Sequence, residues 1–147
     1  MDDPNAVSGF DSSAGRPTFE ASGVGTVLVA DDEPTVRMVT AKMLELLGFN
    51  VLLAVDGPSA VDEFRSHLNE ISLVLLDMTM PGLSGQEVFS EIRQLKADAR
   101  VIIMSGYEKK DATRGLEGQG LAGFLKKPFQ ISDLEQQLWV SGTDLVE

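Results

Sequence analysis

Five short runs of apolar residues recur along the chain at regular intervals. They contain many β-branched residues and do not alternate apolar with polar positions, which is typical of strands covered on both faces of a parallel sheet. The runs are TVLVA at 26–30, NVLLA at 50–54, SLVLLD at 72–77, RVIIM at 100–104 and AGFLK at 122–126. The pattern therefore predicts five buried strands.

The segment after the first run has the spacing of a helix. Pro34 suits a first helical turn, and Gly48 supplies a stop signal. The apolar residues of this segment recur at Val36, Val39, Met43 and Leu46. We therefore predict a first helix that starts at Pro34 and ends before Gly48.

Capping signals predict three further helices. Asp56 is a candidate N-cap for a second helix, whose apolar face consists of Ala60, Val61, Phe64 and Leu68. Two capping boxes predict the starts of the third and fifth helices. They are Ser84 with Glu87, and Ser132 with Glu135. The segment 108–118 predicts only a weak fourth helix, because it contains two glycines.

The alternation of strands and helices predicts an α/β fold with an open, doubly wound parallel sheet and helices on both faces. Ligands of such sheets bind at the carboxyl ends of the strands, where the strand order reverses. The residues that follow each strand are therefore the first candidates for a functional site.

Reactive side chains follow four of the five predicted strands. The first strand runs into Asp31 and Asp32, the third ends on Asp77, the fourth is followed by Ser105 and the fifth leads into Lys127. Polar loop residues are common, so each of these alone is weak evidence. Together they predict that three carboxylates, a hydroxyl and an ammonium group meet at one edge of the sheet.

Three neighbouring carboxylates repel one another, which raises the pKa of at least one of them unless a cation is bound. Mg²⁺ prefers oxygen ligands and keeps several waters while using one or two carboxylates. We predict that Asp32 and Asp77 bind the ion directly, with the backbone carbonyl of Thr79 as a third protein ligand. Asp31 would bind through water.

Mg²⁺ of this kind commonly accompanies a phosphoryl group, and a carboxylate can accept that group as a nucleophile. Asp77 is then the acceptor. Lys127 would neutralise the phosphoryl oxygens, and the Ser105 hydroxyl would donate a hydrogen bond to one of them.

Four motifs carry a resemblance to a known family. They are LVADDE, LVLLDMTMPGLSG, VIIMSGY and FLKKPF, in this order along the chain. Over about residues 25–140 the chain resembles the receiver domain of two-component response regulators. The resemblance implies a flavodoxin-like fold with strand order 2-1-3-4-5 and five helices. It also implies that Asp77 takes its phosphoryl group from a histidine kinase, a histidine phosphotransfer protein or a small donor such as acetyl phosphate.

The resemblance assigns further roles. Asp31 and Asp32 match the acidic pair of the family, and Lys127 matches its lysine, whose bond to Pro128 is usually cis. Ser105 stands where the family more often has threonine. Phe124 falls at the switch aromatic, which implies that phosphorylation rearranges the face formed by helix four, strand five and helix five.

Composition restricts the remaining possibilities. The net charge is −11, which argues against non-specific binding to nucleic acid. There is no cysteine and only one histidine, His67, so thiolate and multi-histidine metal sites are excluded. No apolar run approaches the ~18 residues of a membrane helix, and residues 1–25 do not have the basic start and apolar core that are typical of a signal peptide. We expect a cytoplasmic protein, and we expect that this chain makes no contact with a membrane. The sequence leaves the oligomeric state open.

Residues 1–25 are rich in Gly, Ser, Pro and Asp, which predicts a flexible linker. We assign residues 26–141 to the receiver domain and residues 142–147 to a short C-terminal tail. The chain is either a stand-alone receiver or the C-terminal receiver of a hybrid sensor histidine kinase, and we favour the second. Two alternative functions stay open. One is a Mg²⁺-dependent phosphohydrolase on the same fold, and the other is a degenerate receiver that serves only as a docking module.

Overall fold

The computed structural model describes residues 25–116 and 118–145, and the side chains of this part as far as residue 138. The predicted linker at 1–25 therefore lies outside the described residues, apart from Gly25. Within the described part, no helix is long and apolar enough to cross a membrane.

In the described part of the chain, five strands alternate with five helices, as the sequence pattern predicts. The strands are β1 (Thr26–Ala30), β2 (Asn50–Ala54), β3 (Ile71–Asp77), β4 (Val101–Ser105) and β5 (Gly123–Lys126). The helices are α1 (Pro34–Leu46), α2 (Gly57–Ser66), α3 (Gly85–Leu95), α4 (Lys109–Ala112) and α5 (Ile131–Leu145). The predicted domain end at 141 falls inside α5, and the domain boundaries stay a prediction.

All neighbouring strands are parallel, in the order β2-β1-β3-β4-β5. This confirms the predicted fold class and strand order. The chain runs outward from β1 to β2 and then crosses back to β3 on the other side of β1. The order therefore reverses next to β1, and the carboxyl ends of the strands at such a reversal are where ligands of doubly wound sheets bind.

The sheet separates two hydrophobic cores, which explains why its strands are apolar throughout. Side chains at alternate strand positions point to opposite faces. Leu28 of β1 packs in the core that includes Phe64 of α2 and Phe89 of α3. Its neighbour Val27 packs in the core that includes Leu44 of α1 and Leu134 of α5. Both faces of the sheet are thus covered by helices.

Two predicted caps are confirmed. The carboxylate of Asp56 accepts a hydrogen bond from the Ser59 amide at 2.8 Å, and this bond lowers the pKa of the Asp56 carboxyl group. The Ser84 hydroxyl accepts from the Glu87 amide at 3.1 Å, and the Glu87 carboxylate accepts from the Ser84 amide at 2.8 Å. These bonds satisfy amide groups that the first helical turn leaves without partners.

The capping box predicted at Ser132 is wrong. Helix α5 begins at Ile131, so Ser132 lies inside the helix. The carboxylate that closes the first turn belongs to Asp133, which accepts a hydrogen bond from the Gln130 amide at 2.9 Å. The serine fits the capping pattern in sequence, but the helix starts one residue before it.

The apolar positions predicted for α1 do not coincide with the positions of this helix that are buried against the sheet. The buried positions of this helix are Thr40 and Leu44, whereas Val39 is 48% exposed and Leu46 is 78% exposed. Two of the four predicted apolar positions, Val39 and Leu46, therefore form an exposed apolar stripe, whereas Met43 packs against the core. Exposed apolar stripes of this kind are typical of interaction surfaces.

The weak fourth helix is shorter than its predicted span of 108–118, since α4 contains only four residues. Glycines in the following loop have positive φ values, 86° at Gly115 and 77° at Gly120, which ends helical geometry. Side chains of α3 hold this loop. Gln86 donates to the carbonyl oxygen of Arg114, and Arg93 donates to the carbonyl oxygens of Gln119 and Gly120. Arg93 also donates to the carbonyl oxygen of Ala99, which lies before β4.

Candidate functional site

Four strands deliver the predicted site residues to one end of the sheet. Asp31 directly follows β1, Asp77 is the last residue of β3, and Lys127 directly follows β5. Ser105 is the last residue of β4 rather than the residue after it. Parallel strands place these positions beside one another, so the structure brings together groups that lie far apart in sequence.

Lys127 is at the centre of the site. Its Nζ atom lies 2.9 Å from Oδ2 of Asp31, 3.2 Å from Oδ2 of Asp77 and 3.3 Å from Oε1 of Glu33. The side chain is 15% exposed. Its amide donates to the carbonyl oxygen of Ser105 at 2.7 Å, and the bond to Pro128 is cis, as the resemblance implies. The ammonium group therefore partly neutralises the carboxylates.

The buried carboxylate of Asp31 is unfavourable in its charged form. Burial raises its pKa, and the neighbouring Asp77 adds to that effect, although the Glu33 amide and Lys127 oppose it. For Lys127, burial alone would lower the pKa, but the contacts with Asp31 and Asp77 outweigh burial and raise it. Lys127 is therefore positively charged at neutral pH, and Asp31 lies where further positive charge would be stabilising.

Asp77 is held in a fixed orientation. Its Oδ1 atom accepts hydrogen bonds from the Thr79 amide at 3.1 Å and from the Thr79 hydroxyl at 3.2 Å. Its Oδ2 atom accepts from Lys127. The side chain is almost completely buried, and it lies at the carboxyl end of its strand, next to the point where the strand order reverses. The carboxylate is thus held in one orientation and is almost out of contact with bulk water.

The acidic groups fit a divalent cation. Asp31, Asp32 and Asp77 each offer one carboxylate oxygen, and these three atoms lie within 4.8 Å of one another. Oδ2 of Asp31 is buried without a hydrogen-bond partner among the described residues, since its contact with Lys127 is an ion pair without hydrogen-bond geometry. An all-oxygen donor set with one such oxygen suits a hard cation such as Mg²⁺.

Ser105 and Phe124 lie on the side of the site toward β5. The Ser105 side chain is buried, and its oxygen accepts a hydrogen bond from the Tyr107 amide at 2.9 Å. Phe124 is half-buried and packs against the core that contains α2 and α3. Its amide donates to Oε1 of Gln137 in α5 at 3.2 Å, which links β5 to that helix.

Two contacts of the site were not predicted from the sequence. Glu33 pairs with Lys127, and Arg37 of α1 donates to the backbone carbonyl oxygen of Asp31 at 2.8 Å. The second contact fixes the turn that carries Asp31 and Asp32. An arginine in the first turns of a helix ordinarily faces solvent, so nothing in the sequence distinguishes Arg37 from a surface residue.

The fold and the site define a class of protein, namely a doubly wound domain with an acidic cluster and a lysine at the ends of its strands. The sequence profile of the response regulator receiver domain matches residues 27–138. The chain therefore belongs to the response regulator receiver family of two-component systems.

Individual relatives agree with this assignment. The chain is 33% identical over 115 residues to the sensor kinase CckA of Brucella abortus, which covers 78% of this chain and 12% of that protein. It superimposes on the receiver domain protein of Clostridium thermocellum with a TM-score of 0.76 and 29% identity, covering 84% and 100% of the two chains. A chain of the CheX–CheY–BeF3–Mg²⁺ complex from Borrelia burgdorferi gives a TM-score of 0.73 at 30% identity, covering 82% and 90%.

The chain matches only part of longer proteins. It spans 12% of the sensor kinase CckA and 58% of the transcriptional regulatory protein PdtaR of Mycobacterium tuberculosis, to which it is 35% identical over 121 residues. The receiver domain is thus combined with different additional segments among its relatives.

Proposed function

We propose that Asp77 accepts a phosphoryl group from a phosphohistidine on a histidine kinase or a histidine phosphotransfer protein. A carboxylate oxygen of Asp77 attacks phosphorus, the new P–O bond forms, and the P–N bond breaks with its electron pair passing to the imidazole nitrogen. The product is an acyl phosphate on Asp77. The observation that carries this proposal is the meeting of Asp77, two further carboxylates and Lys127 within a few ångströms.

The neighbouring side chains have distinct roles in this reaction. Thr79 orients the acceptor carboxylate through its amide and hydroxyl. Lys127 stabilises the negative charge of the transferred oxygens, and the Ser105 hydroxyl donates to one of them. Catalysis of phosphoryl transfer consists mainly of positioning and charge neutralisation, and these residues supply both.

Mg²⁺ is the cation that we propose for the acidic cluster. Asp32 and Asp77 would bind it directly with the backbone carbonyl of Thr79, and Asp31 would bind through water. The bound ion supplies charge neutralisation for the transferred phosphoryl group. The all-oxygen donors support this assignment, as does Oδ2 of Asp31, which is buried and accepts no hydrogen bond among the described residues.

Phosphorylation adds roughly −1.5 to −2 charges at Asp77. We propose that Ser105 and the loop after β4 move toward this charge and that Phe124 follows. The face formed by α4, β5 and α5 then changes its arrangement. The four-residue length of α4 and the link from Phe124 to Gln137 support a movable face at this position.

A groove beside α1 is the surface that we propose for the phosphodonor. We call it the α1 groove; it has a volume of about 340 Å³ and is lined by Thr35, Val36, Val39, Thr40, Met43, Lys127, Pro128 and Phe129. Its walls are predominantly apolar, and Lys127 joins it to the acceptor site. An amphipathic helix of the donor protein would fit such a groove.

The test of the acceptor site is the intact mass of the protein after incubation with acetyl phosphate, with Mg²⁺ and with EDTA. We expect a single phosphoryl adduct on the wild type only when Mg²⁺ is present, and no adduct on Asp77→Asn. The matched control is Asp62→Asn, which removes a carboxylate that is 72% exposed on α2 and should be labelled like the wild type.

A fast loss of the phosphoryl group would hide the adduct, so beryllofluoride binding followed by NMR is the second measurement. We expect beryllofluoride and Mg²⁺ to shift the amide resonances of Asp77 and Ser105. If both measurements leave the folded wild type unchanged, the phosphoacceptor role is wrong and the domain serves as a docking module.

The protein context remains part of the proposal. We favour the receiver of a hybrid sensor histidine kinase over a stand-alone receiver, and the similarity to CckA supports this choice. The domain would be a signalling switch rather than an enzyme with a separate substrate, although it would catalyse its own labelling by small donors and its own dephosphorylation. A cytoplasmic location stays a prediction, as does the absence of nucleic-acid binding.

A further inference from the structure

A cavity lies at the end of the sheet opposite to the acceptor site. Its volume is about 290 Å³, and it lies where β3 and β4 begin, between the end of α2 and the loop that joins α3 to β4. Strand β3 runs from Ile71 at this end to Asp77 at the other, and its seven residues span about 20 Å. The cavity is therefore remote from phosphoryl transfer, and the proposed function leaves it without a role.

The lining combines buried apolar residues with polar residues near the solvent. Phe64, Val74 and Ala99 line the cavity and are at most 5% exposed. The polar lining residues are all at least partly exposed; they are Asn69, Ser72, Lys96, Asp98 and Arg100. Small-molecule sites commonly combine these two kinds of wall. A cavity of about 150 Å³ can hold benzene in a protein core, so this one suits a ligand somewhat larger than benzene.

An irregularity of the sheet places Ser72 in this lining. Val27 of β1 pairs with Leu73 of β3, but the preceding pair is Thr26 and Ile71, so Ser72 lies opposite no residue of β1. An extra residue of this kind forms a β-bulge, which redirects side chains and is frequent beside functional sites. Ser72 is half-buried at the cavity, and its hydroxyl is a hydrogen-bond donor and acceptor for a ligand.

Lys96 supplies a positive charge that the surrounding protein does not neutralise. It directly follows α3, and its amide donates to the carbonyl oxygen of Ile92. The side chain of a lysine at this position commonly bonds the last carbonyl groups of the helix. Among the described residues, however, the Lys96 ammonium group has no hydrogen-bond acceptor and no ion-pair partner, although Lys96 is half-buried. Its charge is therefore available to a ligand in the cavity.

The charges of the lining favour a ligand with one negative charge. Lys96 and Arg100 are positive and Asp98 is negative, so the lining is positive by one unit within a chain whose net charge is −11. A neutral ligand would cover the ammonium group without pairing it, which is unfavourable. A ligand with several negative charges would leave some of them unpaired beside Asp98.

We propose that this cavity binds a small organic monocarboxylate that carries an apolar group. The carboxylate accepts hydrogen bonds from Lys96 and Ser72, and the apolar group contacts Phe64. The inference is independent of the proposed function, because it involves none of the residues of the acceptor site.

The test is an NMR titration of the full chain with sodium benzoate at constant ionic strength, with EDTA present. Benzamide is the neutral isostere of this probe. We expect benzoate to cause saturable shifts in the amide resonances of residues 69–74 and 96–100, with a dissociation constant of about 1 mM. Benzamide should bind at least about tenfold more weakly, because it cannot form the charge-assisted hydrogen bond.

A matched pair of variants locates the charge that the ligand contacts. Lys96→Met keeps an unbranched apolar side chain and removes the charge. It should weaken benzoate about tenfold and leave benzamide within about twofold, so that the preference for benzoate disappears. The control is Lys42→Met, at a side chain that is 77% exposed on α1. It should leave the affinity for both ligands within about twofold of the wild type.

A second variant keeps the proposal testable if Lys96→Met does not fold. Ser72→Ala removes one hydroxyl group and should weaken benzoate about threefold. The amide spectrum of each variant without ligand shows whether it is folded.

Several results would overturn the proposal. They are the absence of saturable shifts up to the solubility limit of benzoate, equal affinities for benzoate and benzamide, equal effects of Lys96→Met and Lys42→Met, and shifts confined to Asp77 and Lys127. Tighter binding of inorganic phosphate at residues 96–100 would assign the cavity to a small inorganic anion instead.

The design separates this inference from the proposed function. The intact mass after incubation with acetyl phosphate reports the acceptor site without any benzoate. A phosphoryl adduct on a chain that does not bind benzoate contradicts only the present inference. Benzoate binding to a chain that fails both tests of the acceptor site contradicts only the proposed function.

Discussion

Two regions of the molecule differ in chemistry although adjacent residues of the chain contribute to them. One is the α1 groove, and the other is the group of exposed basic residues Lys109, Lys110, Arg114 and Lys126, which we call the basic surface. Lys127 lines the groove and reaches Asp77, whereas Lys126 pairs with Glu108 on the basic surface. Successive residues at the end of a strand point in different directions, so one dipeptide serves both surfaces. A partner of the groove would bind mainly through apolar contacts, and a partner of the basic surface mainly through charge.

The two surfaces are also anchored differently. The groove is formed by α1, a helix of 13 residues whose Leu44 is fully buried in the core. The basic surface is formed by a four-residue helix and a loop held by Gln86 and Arg93 of α3. Regions with few buried apolar contacts open most easily. We infer that a stable surface receives the donor and a more adaptable one responds.

The largest expected effect tests the orientation of α1. Leu44→Ala should lower the free energy of unfolding by about 3 kcal/mol, because it leaves a cavity in the core. Leu46→Ala on the same helix should change it by at most about 0.5 kcal/mol, because Leu46 is 78% exposed. Urea unfolding of the two variants measures the difference. Equal losses would contradict the exposed apolar stripe.

The next prediction separates the two surfaces by function. With a phosphorylated histidine phosphotransfer protein that labels the wild type, Val39→Glu in the α1 groove should slow transfer at least about tenfold, because a charge enters an apolar interface. Lys110→Glu introduces the same side chain on the basic surface and should leave this rate within about twofold of the wild type. Quench-flow labelling measures both rates, with acetyl phosphate as the reference donor.

If both variants slow phosphoryl transfer equally, the donor protein contacts both the α1 groove and the basic surface. If Lys110→Glu slows phosphoryl transfer and Val39→Glu does not, the donor protein binds the basic surface rather than the α1 groove.

A smaller effect is expected from loosening the basic surface. Arg93 donates to three carbonyl oxygens, and its guanidinium lies 4.8 Å from the centre of the Phe89 ring. Arg93→Met should lower the free energy of unfolding by about 1 kcal/mol and accelerate amide hydrogen exchange in the loop after α4. The control Arg65→Met breaks only an exposed ion pair with Asp62. It should change neither the free energy of unfolding nor the rate of hydrogen exchange in this loop. Unchanged exchange in Arg93→Met would show that other contacts hold the loop.

The smallest effect concerns Asp31, whose Oδ2 atom lies 2.9 Å from Nζ of Lys127. Its pKa is raised in the folded protein, mainly by burial and then by Asp77. The folded state therefore binds this proton more tightly than the unfolded state, and ionisation of Asp31 destabilises the fold at pH 7. Without Mg²⁺, Asp31→Asn should be more stable than the wild type at pH 7.

The greater stability of Asp31→Asn should shrink as the pH falls through the raised pKa of Asp31 in the folded protein. It should vanish below 3.8, the ordinary pKa of aspartate, because Asp31 is then mostly protonated in both states. Adding Mg²⁺ should stabilise the wild type more than the variant, since the ion binds the folded acidic cluster. Urea unfolding at several pH values, with Mg²⁺ or EDTA, tests both statements. Asp62→Asn is the exposed control. A less stable Asp31→Asn at pH 7 without Mg²⁺ would contradict the assignment.

The sequence by itself determined the sheet and the positions of the principal site residues. Uniformly apolar runs predict strands buried on both faces, and the β–α alternation requires a parallel sheet. Because all parallel strands end at the same edge, Asp31, Asp77, Ser105 and Lys127 could be assigned to one site without coordinates. Local caps at Asp56 and Ser84 were equally predictable, because their partners lie three residues away.

Tertiary structure decided which surfaces these elements present. The apolar positions of α1 satisfy a helical period, but only packing against the sheet determines that Leu44 is buried and Val39 is exposed. Glu33 and Lys127 are 94 residues apart, so no local spacing could reveal their ion pair. The sequence thus specifies contacts within a strand or a helical turn, whereas contacts between distant segments depend on the crossovers that bring them together.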